Sequence, residues 1–108
     1  MEGLMKGNVV VLPFPFSDLS ANKRRPALII ARGDEGDFIL CQITSKNKNT
    51  SIRLGDKDFE KGKLKITSYI KPRKIFTSDV DLLLYVVGRI KKEKMKEVED
   101  FLCKIIKE

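Results

Sequence analysis

The sequence predicts a mainly β chain closed by one C-terminal helix, with six short strands bent into a single small sheet. Three observations carry this. Short apolar, β-branched runs recur between clusters of Gly, Pro, Asn, Asp and Ser, the pattern of buried strands joined by turns. The segment Lys92–Ile106 instead spaces Met95, Val98, Phe101, Leu102, Ile105 and Ile106 at helical intervals, with its charges on the other face. A chain of 108 residues has room for one domain with one modest core, so these elements must share it.

The elements follow in order. Val9–Leu12 is the first strand, and Pro13 and Pro15, which cannot donate ladder hydrogen bonds, stop it or confine it to an edge. A polar loop leads through Lys23-Arg24-Arg25-Pro26 into the second strand, Ala27–Ile30. Arg32-Gly33-Asp34-Glu35-Gly36 is a turn, and Asp37–Thr44 a third, mostly buried strand. Ser45–Thr50 turns into a short strand, Ser51–Leu54, followed by a charged loop over Gly55–Lys63. Ser68–Lys71 is a strand stopped at Pro72, Ser78-Asp79-Val80-Asp81 resembles a helix cap with a short helical turn after it, and Leu83–Ile90 is the last strand.

Composition narrows the chemistry. No run approaches the length of a membrane span, and Met1–Lys6 lacks the apolar stretch of a signal peptide, so a cytoplasmic protein is expected, with Met5 a second candidate start. Cys41 and Cys103 lie far apart without metal-ligand spacing and read as buried free thiols. There is no histidine, which removes imidazole acid–base catalysis and most zinc sites, and no Asp/Glu cluster suits a two-metal nuclease. No metal or other cofactor is expected. The net charge of +7 is placed unevenly: residues 44–77 hold ten basic and three acidic residues, an excess of seven, and the remainder sums to zero. Such a region suits a polyanion, and equally a Lys-rich solvated face.

The combination of an apolar strand, Pro13-Phe14-Pro15-Phe16-Ser17-Asp18, Lys23-Arg24-Arg25-Pro26-Ala27-Leu28-Ile29-Ile30 and the strand-closing Ile43-Thr44-Ser45 resembles the MazF/PemK family of toxin endoribonucleases. The likeness continues through Asp58-Phe59, Gly62-Lys63-Leu64, Ser68–Pro72, Lys74–Thr77 and Val87-Gly88-Arg89-Ile90, nearly the whole chain in family order. It implies an SH3-like barrel, a homodimer with an RNA groove across it, and a cognate antitoxin, a small, partly disordered protein whose tail occupies that groove. Where many members open with Gly-Asp, this chain has Gly7-Asn8, read as a turn change of little consequence.

RNA can be cleaved without metal by its own 2′-hydroxyl, provided the protein aligns the bond and stabilises the extra negative charge on phosphorus. Arg25 is the first candidate, because its planar fork binds two phosphate oxygens and Pro26 biases it toward an extended backbone. Thr44 is the second, with a hydroxyl at a strand end that can donate to a non-bridging oxygen. These two positions match the family's catalytic Arg and Thr. Arg24, Ser45, Lys46, Lys71 and Arg73 are candidate RNA contacts, the last two as phosphate clamps, and Phe16 or Phe14 could stack on a base. Asp18 is a minor candidate beside its capping role with Ser17. The bland alternatives are that Arg24 or Arg25 pairs with Asp18 and that Thr44 merely forms a turn. Some relatives carry a carboxylate or a histidine for proton transfer; here Lys71-Pro72-Arg73-Lys74 has neither. The expected function is therefore the toxin of a toxin–antitoxin pair that cuts single-stranded RNA sequence-selectively and without metal. The alternatives are an RNA-binding member that has lost catalysis and a gyrase-binding toxin of the same fold.

Overall fold

Seven strands pair antiparallel in one sheet: β1 (Asn8–Pro13), β2 (Arg24–Arg32), β3 (Asp37–Thr44), β4 (Ile52–Leu54), β5 (Phe59–Gly62), β6 (Ser68–Asp79) and β7 (Tyr85–Ile90). One helix, α1 (Lys92–Ile106), follows. The computed structural model describes residues 3–13, 23–47 and 49–108. The strand order is β4-β6-β3-β2-β1-β7-β5.

That order has a geometric consequence. β4 and β5 are consecutive in the chain yet form opposite edges of the sheet. Laid flat, seven strands would separate those edges by roughly 29 Å, six spacings of about 4.8 Å. The five backbone steps from Leu54 to Phe59 reach at most about 18 Å. The sheet must curl, and it does so into an antiparallel half-barrel. The link is a 3₁₀ turn, Asp56–Asp58, held largely by one side chain. Asp58 Oδ2 accepts the Gly55 N–H at 2.8 Å, and Oδ1 lies 3.6 Å from Lys94 Nζ on α1. The Asp58 carbonyl accepts the Lys91 N–H at 2.8 Å, so the start of α1 is tied to the same turn.

Inside the curl, Val9, Leu28, Cys41, Ile43, Ile70 and Ile90 pack with Met95 and Val98 of α1. A second cluster, with Val10, Leu12, Ala27, Ile29, Phe38, Leu40 and Leu83, covers the other face of the same strands. Because alternate side chains go to opposite faces and both faces are covered, β1 to β3 are apolar almost continuously rather than alternately. At the far edge β5 and β7 approach closely at Gly62 and Gly88. A Cβ on Gly88 would stand 2.1 Å from the Lys61 carbonyl oxygen, which explains why both positions lack side chains.

The helix and β3 have the bounds the sequence predicts, but three expectations change. The charged loop over Gly55–Lys63 contains β5, whose exposed Glu60 and Lys61 hide the apolar signal of an edge strand. The strand expected to stop at Pro72 runs on to Asp79 through a register shift between Cys41 and Gln42 of β3, which leaves Pro72, Arg73 and Lys74 as a bulge. Asp79 caps the following short helical turn as expected, its side chain accepting the Asp81 N–H at the start of the 3₁₀ segment Val80–Leu82. Finally, Cys103 is exposed while Cys41 is buried, since position 103 falls between the inward rows of α1. Asn8 also does more than turn the chain. Its Oδ1 accepts the Met5 N–H at 2.8 Å and its Nδ2 donates to the Gly88 carbonyl, a donation that an Asp carboxylate cannot make.

Removing the Asp58 side chain should release the link between the sheet's edges. Asp58→Ala is expected to lower stability by about 1–3 kcal/mol, the cost of leaving part-buried donors unmatched, as read from urea unfolding midpoints. Burial pushes the Cys41 thiol up to about 12. The native protein should therefore take up one equivalent of iodoacetamide, at Cys103, and a second only in denaturant; mass spectrometry of the two labelled forms checks this.

Candidate functional site

Two prolines inside strands build the site. β2 pairs with β1 as far as Pro13↔Arg24, but its ladder with β3 ends at Ala27↔Gln42. The next residue of β2 toward the edge is Pro26, which has no N–H to offer β3. Past that point each strand keeps only its outer partner. Arg25 stays paired with Leu12 of β1, and Thr44 with Tyr69 of β6. The sheet thus divides, with Arg25 on one lip of the notch and Thr44 on the other. Pro72 interrupts β6 in the same way, and the resulting bulge brings Lys74 as well as Lys71 to the opening.

The notch widens into an open cleft of about 990 Å³. Apolar groups of Val11, Pro26, Leu64, Ile66, Tyr85 and Val87 form one part of its wall. Among the described residues that line it, eight are Lys or Arg and none is Asp or Glu. Cations concentrated without counter-charges in a concave surface focus a positive potential and attract polyanions.

Arg25 is half-buried, and its Nε is buried with no hydrogen-bond partner among the described residues. A buried guanidinium nitrogen normally finds an acceptor, and leaving it unmet costs free energy. Thr44 Oγ1 accepts the Lys46 N–H at 3.2 Å, so its own proton is left to point elsewhere. One lip therefore offers a forked cation whose Nε meets no acceptor among the described residues and the other a hydroxyl with a proton to donate, which together suit two oxygens of a phosphate.

Arg24, Ser45, Lys46 and Lys71 also line the cleft, as the sequence suggests. Arg73 does not. Carried outward by the bulge at Pro72, it forms an ion pair with Glu108 at the chain's end, and that hydrogen bond holds the Glu108 carboxyl below the usual carboxylate range. Of the expected pair Lys71 and Arg73, only Lys71 lines the cleft, and Lys74 lines it as well. Phe14, Phe16, Ser17 and Asp18 lie outside the described residues. Sequence reasoning missed Gln42, Lys74, Ile66 and Tyr85. The available signal for Lys74 was Pro72, since a proline within a strand shifts every later side chain in register.

A family profile of PemK-like, MazF-like toxins of type II toxin–antitoxin systems matches residues 5–106. The chain belongs to this family. No curated protein sequence matches it. Among solved structures, it resembles an endoribonuclease from a mycobacterial species in complex with its cognate antitoxin, at TM-score 0.74 and 20% identity, covering 98% of this chain and 95% of that one. It also resembles the MazE–MazF crystal structure from Deinococcus radiodurans, at TM-score 0.73 and 19% identity, covering 94% of each chain. The Mycobacterium tuberculosis toxin MazF-mt6 matches at TM-score 0.72 and 14% identity, over 93% of this chain and 96% of that one. At these identities the likeness is one of fold: the MazF half-barrel with its C-terminal helix.

If the Arg25 guanidinium is held for a ligand rather than for the fold, removing it should not harm stability. Arg25→Leu is expected to unfold within about 1 kcal/mol of wild type, or later, in a thermal melt; an Arg holding a buried structural ion pair would cost about 3–5 kcal/mol.

Proposed function

We propose that this PemK-like, MazF-like toxin is a sequence-selective, metal-independent endoribonuclease that cuts single-stranded RNA. The observation that carries the reading is Arg25, whose buried Nε has no hydrogen-bond partner among the described residues and which faces Thr44 across a cleft lined by cations. The 2′-oxygen attacks the adjacent phosphorus, the bond from phosphorus to the 5′-oxygen breaks, and a 2′,3′-cyclic phosphate and a 5′-hydroxyl end result. Arg25 binds the non-bridging oxygens as charge builds on them, and the Thr44 hydroxyl donates to one of them. Lys71, Lys74, Arg24 and Lys46 hold flanking phosphates and keep the strand in line for attack. With no carboxylate or imidazole lining the cleft among the described residues, the 2′-hydroxyl proton leaves to water and the 5′-oxygen takes one from water. Rate enhancement rests on charge stabilisation and alignment.

Two partners follow from the same surface. The exposed apolar strip Leu82, Leu84, Tyr85 and Val86, next to the cleft, suits contact with a second copy of the chain and extends the groove across a homodimer. A cognate antitoxin with an acidic and apolar tail would occupy the groove and exclude RNA. The mycobacterial and Deinococcus structures, solved with an antitoxin and with MazE, support that pairing.

The test is incubation with a long single-stranded RNA in EDTA, mapping the new ends. Discrete cuts with 5′-hydroxyl and cyclic-phosphate ends are expected. Arg25→Ala should lower the rate at least about a hundredfold, as for loss of one transition-state donor, with the circular dichroism spectrum unchanged. Cleavage by that variant at the wild-type rate would remove Arg25 from the mechanism. Intact RNA that still binds would indicate a non-catalytic RNA-binding member, and intact RNA without binding would direct the next assay to gyrase supercoiling.

A further inference from the structure

Three residues of β6 lie outside every ladder among the described residues. β6 pairs with β3 as far as Lys71↔Gln42 and resumes at Ile75↔Cys41, so Pro72, Arg73 and Lys74 have no partner on that side. On the other side β4 reaches only Ser68–Ile70. A segment left out of the ladders is held by whatever its side chains grip. Pro72 is fully buried and fixes one end. Lys74, at the other end, lines the cleft. Between them Arg73 turns the opposite way, its Nη2 donating to Glu108 Oε2 at 2.5 Å.

The far side of that contact is itself fixed. The Lys107 N–H donates to the Cys103 carbonyl and the Glu108 N–H to the Ile105 carbonyl, so the backbone stays wound as far as Glu108. α1 is seated on the core through Met95 and Val98, and its start is tied to Asp58. The ion pair thus joins the bulge to a helix anchored elsewhere in the fold. Both side chains are about half exposed, so the pair adds little to global stability. Its leverage is local. Arg73 and Lys74 point to opposite sides, one to Glu108 and the other into the cleft, so a grip on the first directs the second. Turning Arg73 inward would turn Lys74 out.

Resting on the reading of the cleft as an RNA site, we propose that Arg73 and Glu108 are positioning residues: their ion pair fixes the Pro72–Lys74 bulge and so holds the Lys74 ammonium where a flanking phosphate passes. Neither side chain touches the RNA.

The sign of one substitution separates this from bulk electrostatics. Glu108→Gln raises the net charge of +7 by one, so a contact that only stabilises the fold, or that masks Arg73, predicts unchanged or tighter binding of a polyanion. Positioning predicts weaker binding. The probe is a short fluorescent 2′-deoxy oligonucleotide, which lacks the attacking hydroxyl, followed by anisotropy over a range of salt. Lys74→Met should weaken binding and reduce the salt slope by about 0.7, the share of one single-strand phosphate contact. Glu108→Gln should weaken binding about 2- to 5-fold, the scale of one exposed ion pair, and should cause no further loss when Lys74 is already Met. Arg73→Glu combined with Glu108→Arg restores the pair and the net charge and should bind like wild type. In the protein without oligonucleotide, the NMR order parameter of the Lys74 amide should fall from about 0.85 to below about 0.6 in Glu108→Gln, while the core strands keep theirs. Equal or tighter binding by Glu108→Gln, the same loss in the Lys74→Met background, or an unchanged Lys74 order parameter would overturn the proposal. The fall in order parameter in a protein whose wild type binds no oligonucleotide would overturn only the reading of the cleft as an RNA site.

Discussion

A four-residue link between opposite edges of one sheet governs the shape of this protein. Gly55–Asp58 joins β4 to β5, and neither the pairing order nor the link length leaves room for a flat arrangement. Curling makes an inside and an outside, and both have to be covered. The inside is closed by α1, which the same turn anchors through the Asp58 carbonyl and the Lys94 ammonium. The outside of the central strands is covered by the smaller cluster around Phe38 and Leu83. The close passage of Gly62 against Gly88 is the far end of the same closure.

Within that frame the cleft is a fault in the hydrogen-bonding pattern put to use. Pro26 ends one ladder and Pro72 bulges another, and the two interruptions flank the same opening. Each lip keeps a full partner strand on its outer side, so Arg25 and Thr44 are carried on rigid backbone although the sheet between them is open. The price is a guanidinium nitrogen unmatched among the described residues and a crowd of like charges, both unfavourable in the free protein. A phosphate backbone bound as proposed would relieve both at once, and the free energy withheld from folding would then be available to binding.

Much of the fold was legible because local signals agreed with global ones. α1 has the bounds its periodicity predicts, and β3 ends at Thr44 as the run Asp37–Thr44 suggests. β5 was not legible, since in a four-residue edge strand only Phe59 is buried, too little to write an alternation into the sequence. Of the candidate site, Arg25 and Thr44 were named from their motifs and both line the cleft, as do Lys46, Lys63, Lys65, Lys71 and Lys74 from the charge excess in residues 44–77. Arg73 was misplaced because two-residue alternation puts it beside Lys71, whereas the bulge turns it toward Glu108. Cys103 was misplaced because helical periodicity identifies the inward rows better than it excludes their neighbours.

Sequence alone determined the mainly β class of the chain with its C-terminal helix, its family, and two residues, Arg25 and Thr44, that the fold brings to one cleft. These depend on composition, short-range spacing and motif, all of which are local. Tertiary structure decided which cations share the cleft, that Arg25 Nε meets no acceptor among the described residues, and that a bulge sends Arg73 to Glu108 and Lys74 into the cleft. Each of those depends on register between strands far apart in the chain, and register is set by where ladders begin, bulge and stop.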